Sequence, residues 1–299
     1  MIVDFFVAEQ PLGCLTGPSS SIGFTGGDQK RAVMSKNDHR ETGKARLTSS
    51  SKRVPTAPRP ATGPAGKAKK PSLAGEVQSA LQWLKSHSTK ATRDGMARYA
   101  IPSDKAFGVS MKDMKALGKK LGRNHELAAA LWDTDVYEAR MVCSFVDDPA
   151  QVTPAQMDRW CRDFDNWGIC DTICFNLFDR TPHAWAKVAQ WSGKRSEFEK
   201  RAAFALLWSL SVHDKDAGNE QFVQGLALIE RAAADERHFV KKAVNMALRA
   251  IGKRNLALNA AAVAVARRLA ESQEAAPRWV GKDALNELTS PGVTKRLKA

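Results

Sequence analysis

From about Gly75 onward, apolar residues recur every three or four positions, the spacing that covers one face of an α-helix. In VQSALQWLKSH, Val77, Leu81 and Leu84 share a face. The same period runs through MKDMKALGKKLG, NHELAAALWD, VYEARMVCSFV and EFEKRAAFALLWSLSV, and on to NLALNAAAVAVARRLAES, with short polar turns between. TPAQMDRWCRDF opens with Thr153 as a helix cap and Pro154 in the first turn. No segment keeps the period-two alternation of a half-buried strand. The pattern predicts an all-α chain of ten or more helices, each about 10–18 residues long, in antiparallel pairs. That suits an α-α superhelix, a HEAT-like repeat solenoid, better than a compact bundle.

Residues 1–74 follow no such pattern. KRVPTAPRPATGPAGKAKKP has too little apolar surface to offset the entropy of ordering, so a disordered, basic, Pro/Ser/Lys-rich tail is expected over 1–74. The helical-repeat domain then spans 75–299. Residues 1–33 form an oddly apolar leader that translation from Met34 would remove, and they read as sequence outside the native protein.

Composition adds a partner. The 299 residues carry a net charge of +14, which points to a polyanion, most simply nucleic acid. Residues 1–75 hold 12 Lys and Arg against 5 Asp and Glu, so half of the excess is tail and half belongs to the helices. The segment RHFVKKAVNMALRAIGKRN is the richest candidate for a phosphate-tracking face, with Lys241, Lys242, Arg249, Lys253 and Arg254; plain solvation is the alternative for each charge. The five cysteines (Cys14, Cys143, Cys161, Cys170 and Cys174) contain no CxxC pair and suit reduced core thiols in a cytoplasmic protein. No metal site and no cofactor is expected. His125, His183, His213 and His238 have no nucleophile at recognisable spacing, and no phosphate-binding GxxxxGK[ST] loop occurs. No run reaches the ~18 apolar residues of a membrane span.

One stretch stands out. In DNWGICD, Trp167 and Asp171 are four residues apart and fall within about 40° of each other on a helix, at the edge of the stripe made by Cys170, Ile173, Cys174 and Leu177. Read from spacing alone, Asp171 either caps a helix or pairs with a lysine, or else it is a working carboxylate framed by an aromatic ring.

Five segments in order resemble the AlkD-like DNA alkylation-repair glycosylases, a family of HEAT-like repeats: MARYAIPSDKAFGV, LWDTDVYE, NWGICD, KRAAFALL and HFVKKAVNMALR, between about Gly75 and Leu288. The resemblance implies a DNA glycosylase that excises cationic N3- or N7-alkylated purines from double-stranded DNA. Asp171 would be the catalytic carboxylate, stabilising the oxocarbenium-like sugar. Trp167 and Tyr99 would form the aromatic wall, and Arg201 would clamp a phosphate. Lys241 and Lys242 would add phosphate contacts. Met246 stands where the family has an aromatic residue, and Asn166 where a second tryptophan is usual. The implied site is a shallow groove with no base-flipping pocket. A monomer is expected, cytoplasmic and at the nucleoid when bound to DNA. The competing readings are a DNA-binding repeat protein without catalysis and a protein-interaction solenoid.

Overall fold

The computed structural model describes residues 72–297. Apart from its last three residues, the tail expected over 1–74 lies outside them, as do Cys14 and Met34. Within the described residues the regular structure is helical throughout, with no strand. α1 (Leu73–Ser86), α2 (Lys90–Gly95) and a 3-10 turn (Met96–Tyr99) precede α3 (Met111–Leu121), α4 (His125–Trp132), α5 (Tyr137–Val146), α6 (Pro154–Arg162) and α7 (Trp167–Asn176). A second 3-10 turn (Phe178–Arg180) leads to α8 (Ala184–Ser192), α9 (Glu197–His213), α10 (Asn219–Ala232), α11 (His238–Ile251), α12 (Leu256–Ala270), α13 (Ala275–Leu288) and the short α14 (Pro291–Thr294).

Short polar side chains start many of these helices by accepting a bond from an N–H that the first turn leaves without a partner. Ser110 takes the Asp113 N–H at 3.2 Å, Asn124 that of Leu127 at 3.0 Å, and Asn255 that of Leu258 at 2.9 Å. Thr153 takes the Gln156 N–H at 3.1 Å ahead of Pro154 at the first helical position, as its sequence predicts. Ser72 does the same for Gly75, which is why α1 begins at Leu73 and not at the change of texture near Gly75.

Alternate helices stack into two layers. α3, α5, α7, α9, α11 and α13 pack side by side in chain order, and α4, α6, α8, α10 and α12 lie against them. This is the arrangement of HEAT-like repeats, in which each pair buries its apolar stripe on its neighbours. α9 is the central element, and every residue from Arg201 to Ser211 is buried. Tryptophans fill the space between pairs. Trp132 and Trp160 stack with centroids 4.1 Å apart and planes 3° from parallel, and Phe178 bridges from Trp160 to Trp191. α12 and α13 approach closely at Gly281, where a Cβ would lie 2.3 Å from the Ala270 nitrogen. No helix among the described residues is long and apolar enough to cross a membrane.

Candidate active site

The stretch DNWGICD is a helix start. Asn166 caps α7 by accepting the Ile169 N–H at 3.0 Å, which places Trp167 at the first helical position and Asp171 one turn later on nearly the same side. Trp167 is half-buried, and its indole Nε1 donates to the Tyr99 carbonyl at 2.7 Å. That bond ties the first 3-10 turn to α7 and sets the two aromatic rings against one apolar patch with Met96, Ile101 and Tyr137.

Asp171 is not the half-exposed carboxylate that its place at the edge of the stripe suggests. It is 1% exposed, because α9 lies against this face of α7 and brings Arg201 over it. Arg201 Nε donates to Oδ1 at 2.9 Å and Nη2 to Oδ2 at 2.6 Å, while Nη1 donates to the Phe239 carbonyl of α11 at 2.8 Å. The expected phosphate clamp is therefore an internal brace. Its guanidinium is buried and all three of its nitrogens donate to protein acceptors. Burial pushes the Asp171 carboxyl above the usual carboxylate range, against the pull of Arg201. Burial also works against the Arg201 charge, but Asp171 outweighs it and holds the guanidinium above its usual value. The bidentate geometry keeps the pair ionised.

The wall facing α7 depends on a second carboxylate that sequence spacing does not mark as part of the site. Glu138 of α5 is fully buried and accepts N–H bonds from Phe107 (3.0 Å), Gly108 (2.7 Å) and Val109 (3.2 Å). Three donors on one carboxylate fix the loop that follows Tyr99. Gly108 adopts φ +89°, and a Cβ there would lie 2.5 Å from the Thr89 carbonyl oxygen, so only glycine fits. The Gly108–Val109 pair and Glu138, which stand 30 residues apart in the resembling segments, are thus one structural unit.

Between this loop, the 3-10 turn, α3, α5 and α7 lies a cavity of about 390 Å³. Tyr99, Trp167 and Asp171 line it together with Tyr137, Glu138 and Met141.

The remaining expected contacts lie apart from this cavity. Met246 is half-buried and packs on the core from α11. Lys241 and Lys242 place their ammonium groups 5.5 and 5.0 Å from the ring of Trp279 on α13, a tryptophan the sequence reading passes over. The other cations of that basic segment pair within the protein. Arg249 and Lys253 pair with Glu287, and Arg254 donates to the Ser211 carbonyl at 2.7 Å with its guanidinium 4.0 Å from the centre of the Phe222 ring. His213 and Ser209 both bond to Oδ2 of Asp179, each at 2.5 Å, so the carboxylate sits between them and no nucleophile–base pair forms. Cys143, Cys161, Cys170 and Cys174 are buried free thiols, and the described residues contain no cluster of metal-ligating side chains.

Comparison with known proteins bears on this arrangement. The family model for DNA alkylation repair enzymes matches residues 80–288. No curated protein matches the sequence significantly. Among solved structures, one is described as "a new family of proteins related to the HEAT-like repeat DNA glycosylases with affinity for branched DNA structures". It superposes with a TM-score of 0.61 at 18% identity, covering 74% of this chain and 97% of its own. A second, smu.31 from Streptococcus mutans UA159, gives a TM-score of 0.45 at 19% identity, over 71% of this chain and 98% of its own. The matched segment takes in the whole cavity wall and both layers, and the chain belongs to the family of DNA alkylation repair enzymes, built on a HEAT-like helical repeat.

Proposed function

We propose that the protein is a DNA N-glycosylase that releases purines alkylated at N3 or N7 from double-stranded DNA, with Asp171 as its catalytic carboxylate. The observation that carries the reading is the placement of Asp171, Trp167 and Tyr99 around one cavity.

The chemistry asks little of the protein. An N3- or N7-alkylated purine is already a cation, so when the C1′–N bond breaks its electron pair returns to the base and neutralises it. The sugar is left with oxocarbenium character, and a water oxygen adds to C1′ with loss of a proton. A fixed negative charge near C1′ stabilises that transition state. Each Asp171 oxygen has two lone pairs, and Arg201 takes one from each, leaving the others for the sugar and the attacking water. Arg201 is a positioning residue in this scheme. It holds Asp171 ionised and aimed, in surroundings that would otherwise favour its protonation. Arg98 on the cavity wall and Lys241 and Lys242 on α11 are among the cations available to phosphates.

A second reading has a specific observation behind it. Arg201 already neutralises the carboxylate, and Met246 stands where an aromatic residue is expected, which suits a protein that binds DNA without cutting the base away. The related structure with affinity for branched DNA makes that reading concrete. Release of 7-methylguanine from methylated duplex DNA decides between the two. Wild type is expected to release the base and Asp171→Asn to lose at least about 100-fold in rate, the scale on which removing one charge-stabilising group acts. DNA binding without release by wild type would establish the non-catalytic reading instead.

A further inference from the structure

Val223 and Leu256 are each 50% exposed, the most exposed large apolar side chains among the described residues. Val223 belongs to α10 and Leu256 opens α12, two helices of one layer that run side by side in the same direction. Asn255 donates to Asn219 at 2.9 Å beside their first turns, and Arg268 grips Glu230 at 2.7 and 2.9 Å toward their last. The face these helices turn to solvent is apolar through its middle, where Ala227 of α10 and Ala257, Ala260 and Ala264 of α12 are exposed with Val223 and Leu256. Contiguous exposed apolar surface rimmed by charge marks an association site.

The charges at its two ends identify the partner. Asp216 and Glu220 are exposed beside the first turns, Arg231 and Arg267 beside the last, and none of the four forms an ion pair among the described residues. Turned end over end about a two-fold axis near Ala260, the face meets its own complement, with acidic end on basic end twice and alanine on alanine between. Lys215 and Glu271, exposed just beyond the helices with the opposite signs, then come together as well. We infer that two copies of the chain pair through this face, antiparallel and with the same surface contributed by each. The pairing departs from the monomer that the sequence leads one to expect. The 15 residues of α12 span about 22 Å and two neighbouring helices about 20 Å, so each copy covers about 450 Å². The pair then buries about 900 Å², short of the ~1,200 Å² at which stable interfaces begin, so the dimer is weak and forms with rising concentration. The cavity beside Asp171 lies among α3, α5 and α7 of the other layer, and pairing through α10 and α12 leaves it open in both copies.

The test is sedimentation equilibrium of the full chain over a range of concentration that reaches about 500 µM, where a weak dimer is populated. The mean mass is expected to rise from 32.7 kDa toward twice that value. Ala260→Glu sets two carboxylates against each other at the axis and is expected to weaken pairing at least about tenfold, with circular dichroism confirming the fold. If that variant does not fold, Ala264→Glu, also exposed, serves instead. Arg267→Glu alone is expected to weaken pairing about tenfold by placing like charges together, and Glu220→Arg added to it to restore the affinity. A mass that stays at 32.7 kDa throughout leaves the face to a partner other than a second copy and overturns the inference. A dimer indifferent to the alanine variants pairs elsewhere, and a double variant no tighter than Arg267→Glu pairs in another orientation; either result overturns it too.

Discussion

Arg201 grips Asp171 by both carboxylate oxygens, and neither side chain is more than 3% exposed. A pair buried this completely costs much to desolvate and more to break, because removing one partner strands the other charge in a dry interior. Arg201→Ala is expected to destabilise the fold by about 3–5 kcal/mol. Replacing both residues with apolar side chains of similar volume is expected to recover most of that loss. Urea denaturation of the singles and the double measures the coupling, and additive losses would show that the pair contributes little. The same reasoning governs the activity test. Asp171→Asn leaves Arg201 without a counter-charge, so its rate is compared only after its stability is shown sufficient at the assay temperature.

The loop after Tyr99 offers a sharper structural test, since one carboxylate takes the N–H groups of three consecutive residues. Glu138→Gln keeps the shape but turns one acceptor into an NH2 group facing N–H donors. Hydrogen bonds to a charged group are each worth about 1.5–3 kcal/mol, so a loss of about 3 kcal/mol is expected. Gly108→Ala meets both a left-handed backbone and a carbonyl at 2.5 Å from the new Cβ, and a cost of about 2–3 kcal/mol is expected. Hydrogen exchange should place the lost protection at Phe107, Gly108 and Val109 in both variants. Protection unchanged there would mean that the loop is held by something other than Glu138.

These two sites show how far the sequence could be read. Periodicity and caps are enough for most of the helices, because each depends on residues three or four apart, although α4, α6 and α8, at 8, 9 and 9 residues, are shorter than the 10–18 expected. The partnership of Asp171 with Arg201 joins residues 30 positions apart on different helices. Spacing puts Asp171 at a stripe edge and the resemblance makes Arg201 a phosphate clamp, since nothing local records that α9 packs on α7. Glu138 appeared in the sequence only as the end of LWDTDVYE. Its bonds to the Phe107–Val109 backbone leave no pattern in composition, and neither does a cavity. The pairing of Arg249, Lys253 and Arg254 within the protein is hidden for the same reason, because Glu287 and the Ser211 carbonyl lie on other helices.

The stacked pair Trp132 and Trp160 allows a comparison at nearly constant burial. Trp132 Nε1 donates to Asp163 at 2.8 Å, whereas Trp160 Nε1 is buried without an acceptor. Tryptophan to phenylalanine removes similar apolar area at both positions but a hydrogen bond only at the first. Trp132→Phe is therefore expected to cost about 1 kcal/mol more than Trp160→Phe, the net worth of one buried bond. Equal losses in thermal or urea unfolding would show that the Asp163 contact adds nothing.

His238 provides a pH-dependent readout on the basic helix. Burial lowers its pKa below the ordinary imidazole value, and Lys242, Lys241 and Arg201 lower it further, against a smaller opposing pull from Glu197. The sign follows from linkage. Where the pH lies between the unfolded pKa and the lower folded one, the unfolded chain binds the extra proton, so this group makes the protein less stable as pH falls from neutral. Lys242→Gln is expected to move the His238 pKa back toward 6.5 and to lessen that loss, with Lys241→Gln acting in the same direction but less strongly. An NMR titration of the imidazole resonances reads the shift directly. DNA bound at Lys241 and Lys242 would replace two repelling cations with phosphates and raise the same pKa. An imidazole that titrates identically with and without duplex DNA would place the DNA away from α11.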